Sequence, residues 1–199
     1  MDLYNDLEEL QGMTRLLIDD VKMLRPKIGE GNPDPSDDAK AYRRFYVRAV
    51  FALVEAFVEQ HRRLVIHLCE AGKIALSENK LSQLRQTKRI LDPGGAVVRD
   101  EPNYMRIFDK IKEVYKAAAA GFGSTLTVTF GDNDWREFKE AMEIRNQITH
   151  PKNIQDCWIF ELSLQKVIAA HDWFRALQND FVRIAREHRE RNRGLPFSW

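Results

Sequence analysis

Apolar positions recur at helical spacing along most of this chain. Leu3, Leu7, Leu10, Leu17, Val21 and Leu24 predict an amphipathic helix over 2–24. Pro26 and the run from Gly29 to Pro35 end it in a polar loop, and Ser36 or Asp37 fits the N-cap of the next helix. That second helix, over 39–71, is the longest and most apolar. Tyr42, Tyr46, Ala49, Leu53, Phe57, Leu64 and Leu68 form one stripe, widened by Val50, Val54, Val58 and Val65. A stripe that broad belongs to a central helix packed by several neighbours.

Residues 73–102 are polar and less periodic, with a short helix over 79–90 and a turn at Asp92-Pro93-Gly94-Gly95. Tyr104, Ile107, Phe108, Ile111 and Tyr115 predict a helix over 103–119, stopped by Gly121 and Gly123. Thr125 to Phe130 alternates like a strand, but no second strand is evident, so an extended loop is expected. Asp134-x-x-Glu137 resembles a capping box opening a helix over 134–149, which Pro151 ends. A last helix over 157–190 carries Phe160, Leu164, Val167, Phe174 and Phe181 and runs into the arginine-rich stretch Arg183 to Arg193.

The expected fold is therefore all-α, an up-and-down helical bundle of about five to six helices. At 199 residues one domain is expected. It comprises an N-terminal helix and loop (1–38), a bundle core (39–190) and a tail (191–199). The chain is 44% hydrophobic and 31% charged, which places it with globular proteins. Its net charge of +1 rules out a globally basic nucleic-acid coat, so any RNA contact must come from a local patch. Cys69 and Cys157 are far apart and in no ligand-like spacing, so no metal site is expected and a reducing cytoplasm is. The acidic start, Met1 to Asp6, is unlike a signal peptide, and no apolar run reaches the ~20 residues of a membrane helix.

One charge interrupts the pattern. On a helical wheel of 134–149, Trp135, Phe138, Ala141, Met142 and Ile148 share one arc with Ile144 at its margin, and Arg145 falls near the middle of it. Arg136, Lys139, Glu140 and Glu143 lie opposite. A guanidinium on a core-facing stripe is costly unless it is paired or opens onto a site. Two readings stand: an arginine tying helices together, or one placed to meet a phosphate. His150 follows at the helix end, suited to proton transfer at neutral pH or simply to the helix dipole. Asn146, one turn before His150, is positioned to orient its ring.

The stretch Phe138 to Lys152 resembles the signature helix of HEPN domains, helical proteins typified by Arg-polar-x-x-x-His, here Arg145-Asn146-Gln147-Ile148-Thr149-His150. The helix around Ala49 to Val58 resembles the long first core helix of that family, and the last helix its closing helix, so the resemblance spans roughly 40–185. Arg-x-x-x-x-His alone is a weak signal. With 19 arginines and 5 histidines, chance gives about half an occurrence. The chain holds three: Arg62…His67, Arg145…His150 and Arg183…His188. Requiring asparagine after the arginine lowers the chance expectation to about 0.02, and only the Arg145 copy meets it. The other two read as solvated helix faces.

The resemblance implies a metal-independent endoribonuclease that needs no cofactor. His150 would be the general base or acid, Arg145 would hold the scissile phosphate, Asn146 would orient one of them, and the product would be a 2′,3′-cyclic phosphate. One histidine does not easily serve as both acid and base, so a homodimer with a composite site is implied. A toxin or defence role is in keeping with the family, with a cognate antitoxin or other partner protein. Relatives often carry an acidic residue on the long helix, for which Glu55 is the candidate. The wheel instead puts Glu55 in a polar cluster with Arg48, Glu59 and Arg62. Candidate RNA-backbone contacts are Lys152, Arg183 and Arg186, with Tyr42-Arg43-Arg44-Phe45 and Arg62-Arg63 as extensions. His171 and His61 lie on apolar stripes and read as hydrogen-bonded core residues. The alternative is a non-catalytic helical module of the same fold that binds a protein partner or a nucleotidyltransferase.

Overall fold

A computed structural model describes residues 3–91, 94 and 97–192; for 3–7, 88, 89, 91, 97 and 100 it describes the backbone alone. The side chains of Leu3 and Leu7, the turn residues Asp92, Pro93 and Gly95, and the tail beyond Asn192 lie outside this description. Among the described residues the chain is mostly helical, with six α-helices and one two-stranded hairpin. No described helix is long and apolar enough to cross a membrane. Where the sequence suggests one domain, the chain groups into two compact units, Met1–Phe57 with Thr129–Leu177, and Val58–Val128 with Gln178–Trp199.

The first unit contains α1 (Leu3–Leu24), the first part of α2 (Asp37–Glu70), α5 (Asn133–Thr149) and the first part of α6 (Glu161–Arg191). In α1 the expected face buries Leu10, Val21 and Leu24, and the buried Thr14 hydroxyl donates to the Leu10 carbonyl at 2.8 Å. Ser36 caps α2, its Oγ accepting from the Ala39 amide. Tyr46, Val47, Val50, Phe51, Leu53 and Val54 of α2 are buried. The α5 wheel holds as well: Trp135, Phe138, Ala141, Met142 and Ile148 are its buried residues. Phe138 lies 6.0 Å from Phe51 and 4.9 Å from Trp173, with Trp135 stacked on it at 5.5 Å. The cap of α5 is not Asp134 but Asp132, whose Oδ1 accepts from the Trp135 amide at 2.9 Å. The last helix starts at Glu161, later than expected, which leaves Phe160 outside it and exposed.

Arg43 corrects the surface reading. It sits on the apolar face of α2, 1% exposed, and every guanidinium nitrogen is engaged. Nε donates to the Ile28 carbonyl, Nη1 to Ile159, and Nη2 to Gly29, Asn32 and the Glu161 carboxylate, at 2.6–3.1 Å. Such a group is tolerable inside a core because each of its nitrogens meets oxygen. It is a tie for the 28–32 loop and the 159–161 segment, with nothing left for RNA.

The second unit contains the rest of α2, α3 (Glu78–Arg85), β1 (Thr87–Leu91), β2 (Val97–Pro102), α4 (Ile107–Gly121) and the end of α6. The helix expected over 79–90 stops at Arg85, because Gln86 turns left-handed at φ 57°. β1 then pairs antiparallel with β2, Thr87 opposite Pro102, and the Asn103 amide closes the open end on the Gln86 carbonyl at 2.7 Å. The next helix starts at Ile107, so Tyr104 precedes it and is 83% exposed. The 125–130 segment forms no strand. Its Thr127 and Val128 amides donate to the Asp180 carboxylate, and the Thr125 carbonyl accepts from Arg183.

His61 is buried here, stacked on Phe181 at 3.7 Å with its Nδ1 3.1 Å from the Tyr115 hydroxyl. Burial pushes its imidazole down to about 3. Burial also pushes the Glu59 carboxyl upward, but hydrogen bonds and charges from Arg62, Arg63 and Lys110 outweigh it and hold Glu59 at about 2.

Candidate functional site

The C-terminal end of α5 gathers the groups singled out from the sequence. Arg145 is part-buried, with 27% of its side chain exposed. Its Nη2 donates to Glu55 Oε1 of α2 at 2.9 Å, and its Nη1 to Asn146 Oδ1 at 3.2 Å. The polar-cluster reading of Glu55 is therefore wrong in detail. Glu59 goes to Arg62, Arg63 and Lys110, Arg48 goes elsewhere, and Glu55 is the carboxylate that meets the motif arginine.

Asn146 departs from expectation in the other direction. Its side-chain oxygen is taken by Arg145, and its link to His150 is by backbone alone, the His150 amide donating to the Asn146 carbonyl at 2.9 Å. His150 is the C-cap residue, exposed, with φ −126° and ψ 59°, outside the helical range. Its ring makes no hydrogen bond with any described residue. The backbone around it is well held. The Thr149 hydroxyl donates to the Arg145 carbonyl at 2.7 Å. Past Pro151, Asp156 Oδ2 accepts from the Lys152 and Asn153 amides, and Asn153 Oδ1 accepts in return from the Asp156 amide. Arg48 of α2 donates to the Ile148 carbonyl at 2.8 Å, a last-turn oxygen that no helical amide would satisfy.

Taken together, α2 and α5 present a cation already aligned by a carboxylate, with an exposed histidine five residues further along the chain. An arginine held on one side keeps donors for a phosphate on the other. Among the described residues no group of three His, Cys, Asp or Glu side chains could hold a metal ion. No family model, curated protein or solved structure matches this chain.

The remaining candidates divide. Lys152 is exposed, and its ammonium pairs with no described residue. Arg183 belongs to the second unit and is already engaged, by Asp180, by Glu187 at 2.6 Å and by the Thr125 carbonyl, which removes it as a phosphate contact. The Asp180 carboxyl it meets lies below its usual range: burial pushes it up, and Arg183 with the Val128 and Thr127 amides outweighs that. Arg186 is exposed without such partners. Arg191, in the same tail, donates to the Phe122 and Gly123 carbonyls. Nor are the other two Arg-x-x-x-x-His copies free faces. Arg62 is bound to Glu59 and the Leu84 carbonyl, and His188 lies 3.3 Å from the Phe122 carbonyl. His171 is half-buried, its Nδ1 3.4 Å from the Tyr46 hydroxyl, and burial lowers its pKa.

Sequence reasoning missed Arg48 as a tie to the motif helix and the Asn153–Asp156 capping box. The second had a readable signal, Asn-x-x-Asp ahead of a short turn.

Proposed function

We propose that this chain is a HEPN-type, metal-independent endoribonuclease that acts as a homodimer. The observation that carries the reading is the Glu55–Arg145 ion pair in the last turns of the motif helix, which ends at an exposed His150 whose ring pairs with no described residue. The HEPN assignment itself rests on the Arg-Asn-x-x-x-His resemblance, and a toxin or defence role follows from that assignment alone.

RNA carries its own nucleophile, so the chemistry needs no bound water. His150 takes the proton of a 2′-hydroxyl as the O2′–P bond forms. The P–O5′ bond breaks, and the departing O5′ takes a proton from the His150 of the second subunit. Arg145, steered by Glu55, binds the phosphate and neutralises the added charge of the transition state. The products are a 2′,3′-cyclic phosphate and a 5′-hydroxyl. Asn146 acts on Arg145 in this scheme rather than on His150.

The test is incubation of total RNA with purified full-length chain in EDTA, comparing wild type with Arg145→Ala and His150→Ala. Cutting by wild type that falls at least 100-fold in both variants is expected. Cutting that survives in both would overturn the assignment. A folded dimer that cuts nothing would favour the non-catalytic binding module.

A further inference from the structure

A cleft of about 410 Å³ opens in the first unit, lined by Pro33, Asp34, Pro35, Arg44, Trp158 and Phe160, with the Asp37–Lys40 pair and Arg43 at its edges. We infer that this cleft is a nucleotide subsite of the ribonuclease, taking one unpaired RNA base against Trp158 and Phe160 and its phosphate on Arg44. The inference rests on the ribonuclease reading and adds where the substrate strand runs.

Three observations lead there. The first is the platform. Trp158 and Phe160 are 52% and 61% exposed, while Ile159 between them is buried, and the two rings stand edge to face at 6.1 Å. Large aromatics left open beside a cleft offer faces on which any base stacks. They are also held in place, since the Ile159 carbonyl is gripped from below by the buried Arg43. A fixed platform loses little entropy on binding.

The second is charge. Arg44 is half-buried and pairs with no described residue, unlike its neighbour Arg43. Lys40 is balanced by Asp37 at 3.1 Å, so among the described cations lining the cleft Arg44 is the one left for a phosphate. Asp34 is exposed with a carboxylate that no described side chain meets, and it can accept from a base N–H. The cleft volume lies within the ~300–1,000 Å³ of ordinary small-molecule pockets.

The third is alignment with the site. On α2, Arg44, Arg48 and Glu55 lie within about 40° of one another around the axis. Arg48 holds the Ile148 carbonyl, two residues before His150, and Glu55 holds Arg145. Arg44 is one turn, ~6 Å along the axis, from Arg48. One face of α2 thus runs from the cleft to the motif, with Glu55 eleven residues, ~16 Å along the axis, beyond Arg44.

The experiment measures binding without cleavage. A fluorescently labelled ten-nucleotide single-stranded RNA with 2′-O-methyl riboses is titrated in EDTA with the full-length chain and read by anisotropy. Trp158→Ala is expected to weaken binding about tenfold, with Trp158→Phe within about threefold of wild type. Arg44→Ala is expected to weaken binding and to lower the slope of log affinity against log salt by about 0.7. Wild-type affinity in both Trp158→Ala and Arg44→Ala would overturn the subsite, as would no binding of RNA by the wild-type chain. His150→Ala separates the two ideas. If the subsite variants weaken binding but wild type cuts no RNA, the subsite stands and the ribonuclease falls. If His150→Ala abolishes cutting while the cleft variants bind and cut normally, the ribonuclease stands and the subsite falls.

Discussion

Arg43 and Arg145 are both guanidiniums on the apolar face of a helix, and their surroundings separate what they can do. Arg43 is sealed, with five oxygen partners at 2.6–3.1 Å. Arg145 has one carboxylate and one amide oxygen, and a quarter of its side chain meets water. A half-exposed pair such as Glu55–Arg145 contributes only about 0–1 kcal/mol to stability. Glu55→Gln should therefore unfold in urea within about 1 kcal/mol of wild type, yet cut RNA about tenfold more slowly because Arg145 is no longer steered. Equal losses of stability and activity would make the pair a structural tie. The motif was legible in the sequence because it carries its own contrast, a charge inside an apolar arc followed by His-Pro. Glu55 was named only through the resemblance, while the wheel set it in a polar cluster, because a wheel orders one helix about its own axis and says nothing of which partner arrives from another. The same wheel signal that exposed Arg145 was present at Arg43, with Val47, Val50 and Val54 at helical spacing after it. Its surface reading came from the neighbouring Arg44, which does face a cleft.

At the same scale, His61 ties stability to pH. Its folded pKa of about 3 lies below its ordinary 6.5, so the unfolded chain binds the proton first. Stability is full above about 6.5 and declines as the pH falls toward 3. Between pH 7 and 5 this amounts to about 2 kcal/mol, while the Glu59 contribution is lost only below 4.5, on the way to about 2. His61→Phe, which can still stack on Phe181, should show a clearly shallower fall in stability from pH 7 to 5 in urea unfolding followed by circular dichroism, the remainder including the half-buried His171. A wild-type-like slope in that variant would assign the acid sensitivity to another group.

Among elements, the helices followed from periodicity and their ends from caps, with the misses confined to places where backbone geometry is set by something outside the local pattern. The helix over 79–90 ended early because a glutamine, not a glycine, took the left-handed cap. The hairpin that follows was hidden because Lys88, Arg89, Arg99, Asp100 and Glu101 give its strands no apolar alternation. The 125–130 segment read correctly as a loop, and its physical reason is that Asp180 supplies the acceptor a second strand would have. Arg43 shows how much one residue can hold between elements. Arg43→Met should cost about 3 kcal/mol or more in urea unfolding, because it leaves the carbonyls of Ile28, Gly29, Asn32 and Ile159 without the donor that meets them while filling the same space. A loss under 1 kcal/mol would show that the loop at 28–32 and the start of α6 hold without it.

For the whole molecule, a net charge of +1 coexists with a selective distribution of cations. Arg43, Arg62, Arg183 and Arg191 are consumed by protein oxygens. Arg44 and Lys152, with Arg48 on a single carbonyl, remain open to a ligand on the unit that carries His150. Composition could say only that an RNA contact must be local; which arginines are spent is decided by tertiary contacts that no count reveals. The proposed ribonuclease attacks through the substrate's own 2′-hydroxyl, and the chemistry of the product ends decides whether it does. An RNA and a DNA of the same sequence are incubated with the full-length chain in EDTA, and the ends are analysed by mass spectrometry. Cut RNA ending in 2′,3′-cyclic phosphate and 5′-hydroxyl is expected, with the DNA intact. Cutting of the DNA, or RNA ends bearing 5′-phosphate, would contradict it.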